Sequence, residues 1–162
     1  MRLDELNALD DAAAARELRR CCGSTRWAQQ MAAARPFADE AAMIGCADAI
    51  WWSLDAQDWL EAFSAHTTIG GPTTTRWSAQ EQSGMDDAAA AIRDRLERAN
   101  REYEARFGYI FIICAAGKSA AEMLDALERR LGNAPDREME VAAAEQRAIT
   151  RLRLDRLIEQ RS

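Results

Sequence analysis

Residues Tyr109–Gly117 read YIFIICAAG, and the fold class depends on how this apolar run is interpreted. It is the one segment that could form a buried strand, although it is short enough to be a buried loop or a helix end. A strand must pair with a second strand, and the rest of the chain contains no candidate for one. We therefore predict an all-α fold.

The segments on either side of this run have helical periodicity between capping and helix-breaking residues. Two S-x-x-E sequences, beginning at Ser78 and Ser119, match the capping box that opens many helices. From these signals we predict a single domain over residues 1–162, a helical bundle of about seven to nine helices. Predicted helices begin near Asp10 or Asp11, Ser24, Ala38, Asp55, Ser78, Asp87, Ser119 and Asp136.

Composition and charge argue against several classes of partner. The net charge of −6 disfavours nucleic acids and anionic membranes, since both require a basic face. No apolar stretch approaches the roughly 20 residues needed to cross a bilayer, and the amino-terminal MRLDELNALDD lacks a signal-peptide core. The four cysteines have no metal-ligand spacing, so we expect no metal site and reduced thiols in the cytoplasm. The five tryptophans are interpreted as core and helix-packing residues rather than as a ligand cage.

His66 is the single histidine of the chain, and it is the first candidate for acid–base chemistry. It ends the helical stretch EAFSAH and opens the irregular, Gly- and Pro-containing segment TTIGGPTTTRW. Histidine alone has an unperturbed pKa that lies between about 5 and 8. An acid–base role near neutral pH therefore points to His66, although a structural histidine is an equally good interpretation of its position.

Glu81 is the candidate partner of His66, and two roles are open to it. With Ser78 it could simply close a capping box at a helix start. It could also share a substrate or a water with the imidazole, if the intervening loop brings the two groups together. Both roles are compatible, because a helix start also presents unpaired N–H groups to a ligand.

The segment FIICAAGKS and the last helix carry the remaining candidates. Phe111–Ser119 could present backbone N–H and C=O groups to a flat polar ligand, or it could be a buried connection satisfied by the protein itself. It is not a phosphate-binding P-loop, because the spacing of its glycines does not match. Arginines suited to carboxylate recognition follow one another on the last helix. These are Arg147, Arg151, Arg153 and Arg156.

Short motifs in a fixed order extend over nearly the whole chain. They are LNALDD, CCGSTRWAQQM, ARPF, WLEAFSAH with IG, WSAQEQSG, REYEARFGYIFIICAAGKS, and RLGN followed by EQRAITRLRLDRL. In this combination they resemble the family of 2-oxo-4-hydroxy-4-carboxy-5-ureidoimidazoline (OHCU) decarboxylases of urate breakdown. The resemblance implies an all-α single domain that needs no metal or organic cofactor, and it suggests a homodimer.

The resemblance also assigns roles around the histidine. It implies that His66 is the catalytic histidine and Glu81 its partner acid, with Ser78 and Gln82 beside them in the pocket. The family usually has His-Pro-Arg-Ile-Gly where this chain reads HTTIGG. Thr67 thus replaces the proline that packs beside the substrate, and Thr68 replaces an arginine, which changes the local charge.

Two further elements of a substrate site follow from the same resemblance. The backbone at Ile113 and Ala115 would hydrogen-bond the ligand, and Arg153 would bind its anionic group, with Arg151 as a close alternative. The implied activity is cofactor-independent decarboxylation of OHCU to (S)-allantoin, with this small molecule as the partner. The alternative is a non-catalytic helical module that binds a purine-derived ligand or a protein.

Overall fold

The structure, a computed structural model, describes residues 1–66 and 87–159. These residues contain eight α-helices and no strand, which confirms the all-α prediction. The run from Tyr109 to Gly117 is irregular between two helices. The helices are α1 (Leu3–Ala8), α2 (Asp11–Arg19), α3 (Thr25–Ala34), α4 (Glu40–Ser53), α5 (Ala56–Ser64), α6 (Asp87–Phe107), α7 (Ala120–Arg130) and α8 (Pro135–Glu159).

Side-chain caps fix most of the predicted helix starts. The oxygens of Asp10, Ser24 and Asp55 each accept a hydrogen bond from a backbone N–H in the first turn of α2, α3 and α5. Ser119 and Glu122 form the predicted capping box of α7. These bonds satisfy donors that the helix itself leaves unpaired.

Three expectations differ from the structure. Helix α1 was not predicted, and α4 begins at Glu40 rather than near Ala38 because the Asp39 carboxylate caps it through Ala42 N. Trp52 is not a core residue, since it is 45% exposed. It follows Trp51 by one position on α4, so the two side chains leave the helix in directions about 100° apart. Trp77 and the capping box expected at Ser78 lie outside the described residues.

The chain divides into two compact units, Met1–Ala65 with Ala143–Ser162, and His66–Ala142. In the first unit, α3 packs against α2, α4 and α5. Indole N–H groups join its helices: Trp27 donates to the Ala47 carbonyl at 3.1 Å and Trp51 to the Ala143 carbonyl at 2.9 Å. The prediction of one domain over residues 1–162 stays a prediction.

The second unit contains α6, α7 and the amino-terminal part of α8. Its core joins residues of α6 and α7 to Phe111 and Ile113 of the irregular segment. Gly108 ends α6 with a φ of 85°, in the left-handed region that glycine enters without a Cβ clash. The apolar run is therefore buried by packing against helices rather than by pairing in a sheet.

Candidate functional site

His66 lies directly after α5, where the sequence places it, and its side chain is half-buried. Helix α5 is held against the start of α3 by Glu61, whose carboxylate accepts from Thr25 N at 2.9 Å and from Thr25 Oγ1 at 2.7 Å. These hydrogen bonds lower the pKa of Glu61 below its ordinary value. The segment that leads to the histidine is thus fixed by polar bonds as well as by apolar packing.

The residues predicted to join His66 lie outside the described part of the chain. They are Thr67, Ser78, Glu81 and Gln82. Their roles, and the convergence of His66 with Glu81, stay predictions.

The irregular segment is described in full, and three of its carbonyl groups have defined partners. The Ile112 carbonyl accepts from Arg130 Nη1 at 2.8 Å. The carbonyls of Cys114 and Ala115 accept from Lys118, through its Nζ at 3.1 Å and its backbone N at 3.0 Å respectively. Within the described residues no hydrogen bond reaches the peptide groups of Ile113, although this residue is only 5% exposed.

A buried polar network lies beneath this segment. The Glu138 carboxylate, which is 0% exposed, accepts from Arg130 Nε at 2.9 Å, from Arg130 Nη2 at 2.6 Å and from Asn133 Nδ2 at 2.9 Å. The Tyr103 hydroxyl donates to the same carboxylate. Burial, together with Glu138, raises the pKa of Tyr103, so the phenol stays protonated and remains a donor.

The two arginines that the sequence left as alternatives line different cavities of the first unit. Arg153 lies with Arg20 and Arg156 on a cavity of about 210 Å³. Arg151 lines a much smaller cavity, of about 10 Å³, beside Trp51. Only the larger cavity could hold more than a single water molecule.

The thiols beside Arg153 are not nucleophiles at neutral pH. Burial raises the pKa of Cys21 to about 12, and the positive charge of Arg153 offsets only part of this effect. Burial also raises the pKa of Cys22 to about 11. A thiol with such a pKa is almost fully protonated, and the reactive species is the thiolate.

Neither a metal cluster nor a membrane span occurs in the part of the chain that the structure describes. No group of three or more His, Cys, Asp or Glu residues there could hold a metal ion. None of the eight helices described is both long and apolar enough to cross a bilayer.

Sequence reasoning missed the network of Arg130 and Glu138. The two residues are eight positions apart but belong to different helices, so a periodic pattern does not predict their contact. The sequence signal was the set of breaker residues between them, Gly132, Asn133 and Pro135, which predicts a tight connection. A tight connection brings the end of one helix close to the start of the next.

The described residues define an all-α protein in which an irregular apolar segment and an arginine-lined cavity carry the candidate polar groups. The chain belongs to the OHCU decarboxylase family, because the family model described as OHCU decarboxylase matches residues 7–155. It is 40% identical, over 88% of its length, to the Uric acid degradation bifunctional protein TTL of Arabidopsis thaliana, of which it covers 46%.

A second relative and a solved structure agree with this assignment. The chain is 37% identical, over 56% of its length, to the 2-oxo-4-hydroxy-4-carboxy-5-ureidoimidazoline decarboxylase of Amia calva, covering 51% of it. It thus spans about half the length of these curated relatives. A crystal structure of an OHCU decarboxylase in the presence of (S)-allantoin matches with a TM-score of 0.78 and 38% identity. That match covers 94% of this chain and 100% of the other.

Proposed function

We propose that this chain catalyses the decarboxylation of OHCU to (S)-allantoin in urate breakdown. The observation that carries the proposal is the match, over the whole of the solved chain, to an OHCU decarboxylase crystallised in the presence of (S)-allantoin. The Arabidopsis relative, whose name refers to uric acid degradation, supports the same pathway.

The substrate itself suggests how the reaction proceeds without a cofactor. Its carboxylate is bonded to a carbon next to a ring C=N group. When the bond to the carboxylate breaks, carbon dioxide leaves and the electron pair moves into the C=N group. Pyridoxal and thiamine serve as electron sinks in other decarboxylases, and here the ring takes that role. The hydroxyl on the carbon that lost the carboxylate gives up its proton and becomes a ring carbonyl. A proton adds to one face of the neighbouring carbon, the former C=N carbon, and this sets the configuration of allantoin.

We assign the proton transfers to His66 and the orientation of the ring or the imidazole to Glu81. Ser78, Gln82 and Thr67 would complete the pocket. The peptide groups near Ile113 and Ala115 would bind the ureido and ring amides. The Ala115 carbonyl already accepts a hydrogen bond from the Lys118 backbone N–H. We therefore assign the N–H of Ala115, rather than its carbonyl, to ligand binding. Arg153 is our candidate for binding the substrate carboxylate, since the cavity that it lines is larger than the cavity that Arg151 lines.

A coupled assay tests the activity. Urate oxidase and hydroxyisourate hydrolase generate OHCU in place, and chiral analysis measures the allantoin formed with and without this chain. We expect faster decay of OHCU and an excess of the S enantiomer. Unchanged spontaneous decay with racemic product would instead favour the alternative, a non-catalytic helical module that binds a purine-derived ligand or a protein.

A substitution at His66 tests the assignment of the base. We expect His66→Asn to lower kcat by ~10²–10⁴-fold, because positioned acid–base catalysis contributes about that much. Thermal unfolding of the variant, followed by circular dichroism, controls for loss of fold. Parental activity in a folded His66→Asn protein would show that another group moves the proton.

Three further statements belong to the same proposal. We propose that the chain works without an organic or metal cofactor, acts in the cytoplasm and forms a homodimer. Activity after exhaustive dialysis against a chelator tests the first. Light scattering on the chromatographed protein tests the association state.

A further inference from the structure

We propose that Arg130 is a positioning residue for ligand binding: by holding the Ile112 carbonyl, it aims the Ile113 N–H at the substrate. This inference rests on the proposed function, in which the peptide groups at Ile113 contact the ligand. It adds Arg130 to the residues proposed for ligand binding. Arg130 lies on α7, whereas Ile113 lies in the irregular segment.

The peptide bond that joins Ile112 to Ile113 is planar. The carbonyl of Ile112 and the N–H of Ile113 belong to one rigid plane, and in a trans peptide they point in opposite directions. Arg130 Nη1 binds that carbonyl oxygen at 2.8 Å. Fixing the oxygen therefore fixes the direction of the Ile113 N–H, which points away from the guanidinium.

Arg130 itself is held rigidly. Two of its nitrogens bind one oxygen of Glu138, and its guanidinium lies over the Phe111 ring at 4.3 Å from the ring centroid. The planar guanidinium thus has a fixed orientation in which the remaining nitrogen faces Ile112. Glu138 is fixed in turn by bonds from Tyr103 and Asn133. These bonds connect three helices, α6, α7 and α8, to one peptide plane.

The Ile113 N–H is the donor left over by this arrangement. Its residue is 5% exposed, and no acceptor for it occurs among the residues that the structure describes. Buried backbone donors are nearly always paired, so a ligand oxygen is a natural acceptor here. A donor held in place before binding raises affinity, because ordering it costs little when the ligand arrives.

The central experiment uses the double variant Arg130→Met/Glu138→Gln. Removing Arg130 alone would leave the buried carboxylate of Glu138 uncompensated, whereas the double change keeps the site neutral and similar in volume. We expect kcat/KM to fall by ~10–100-fold, mainly through KM, since displaced binding groups cost about that much. We also expect the Kd for (S)-allantoin to rise, and peptides covering residues 109–117 to exchange amide hydrogens about 10-fold faster.

Two control variants separate positioning from stability. Arg129→Met removes an exposed arginine from the neighbouring position, where it pairs with Asp125, and should change none of the three readouts. Leu96→Ala truncates a buried side chain of the same core, and at temperatures where it is folded it should keep the parental kcat/KM. If the double variant does not fold, Arg130→Lys replaces it, since it keeps the charge but cannot bind both Glu138 and Ile112 with the geometry of the fork.

The outcomes distinguish this inference from the proposed function. If the double variant folds and keeps the parental KM and the parental affinity for (S)-allantoin, Arg130 is not a positioning residue. This holds whatever the rate of amide hydrogen exchange in residues 109–117. An equal loss of kcat/KM in Leu96→Ala also overturns the inference, because the effect would then follow general stability. A parent chain that binds (S)-allantoin without turnover refutes only the proposed activity, and the affinity of the variants still tests Arg130.

Discussion

At the scale of single residues, two buried arginines use the guanidinium fork to bind backbone carbonyls. Arg130 binds Ile112 in the second unit, and Arg35 has a similar role in the first. The Arg35 side chain, 7% exposed, donates to the carbonyls of Leu6 at 2.8 Å, Leu9 at 2.7 Å and Ala32 at 2.8 Å. The carbonyls of Leu6 and Ala32 also accept backbone hydrogen bonds, at 3.3 and 3.4 Å, so Arg35 adds a charged donor at the ends of α1 and α3.

Replacing Arg35 should therefore destabilise the first unit. We expect Arg35→Met to lower the free energy of unfolding by ~1–3 kcal/mol, because part-buried carbonyls lose a charged donor. Urea unfolding followed by circular dichroism measures the change. Arg129→Met, at an exposed site, should cost ~0–1 kcal/mol. Equal effects of the two substitutions would show that the Arg35 bonds contribute little.

At the scale of elements, the contact between α3 and α5 has a pH dependence. Glu61 on α5 accepts two hydrogen bonds from Thr25 at the start of α3, and these bonds lower its pKa below the ordinary value of 4.5. A carboxylate with a lowered pKa in the folded state stabilises the fold at pH above its unfolded pKa. That stabilisation is lost as the pH falls through the folded pKa.

Thr25→Val tests this contact, because it removes the hydroxyl donor and keeps the backbone donor. We expect the variant to be less stable than Thr25→Ser near neutral pH, and the difference to shrink as the pH falls below 4.5. Urea midpoints of both variants over a pH series provide the measurement. A difference that stays constant across the series would exclude Glu61 as its source.

At the scale of the whole molecule, the four cysteines differ in access and form no disulfide. Cys21 and Cys22 are buried with strongly raised pKa values, whereas Cys46 and Cys114 are half-buried. A disulfide reagent requires both access and a thiolate. The rates at which the thiols react therefore measure how much of the native packing is intact.

We expect two kinetic classes of thiol in the native protein at about pH 8. The half-buried thiols, Cys46 and Cys114, should react first. The buried thiols, Cys21 and Cys22, should react only when the fold opens. In urea all four thiols should therefore react at similar rates. Release of a coloured thiolate from an aromatic disulfide reagent measures the rates. Cys46→Ser and Cys114→Ser variants identify the fast class. A single rate for all four thiols in the native state would contradict the burial of the pair.

Local sequence signals were enough to predict the fold class and most helix boundaries. Capping residues such as Ser24 and Ser119 act on N–H groups within three residues, so a local pattern is enough to place them. The apolar run at Tyr109–Gly117 had no second strand to pair with, and this excluded a sheet. The position of His66 at the end of α5 was equally local.

Which polar groups meet depends on the packing of the helices and could not be predicted from the sequence. Tyr103 and Glu138 are 35 residues apart, and Arg35 reaches carbonyls 26 to 29 residues away. Arg151 and Arg153, two positions apart on one helix, line different cavities. Such pairings depend on how helices cross and where chain turns bring their ends together, and no short sequence period encodes either. The folded chain therefore shows Arg130 bound to the Ile112 carbonyl, a contact that the sequence did not predict.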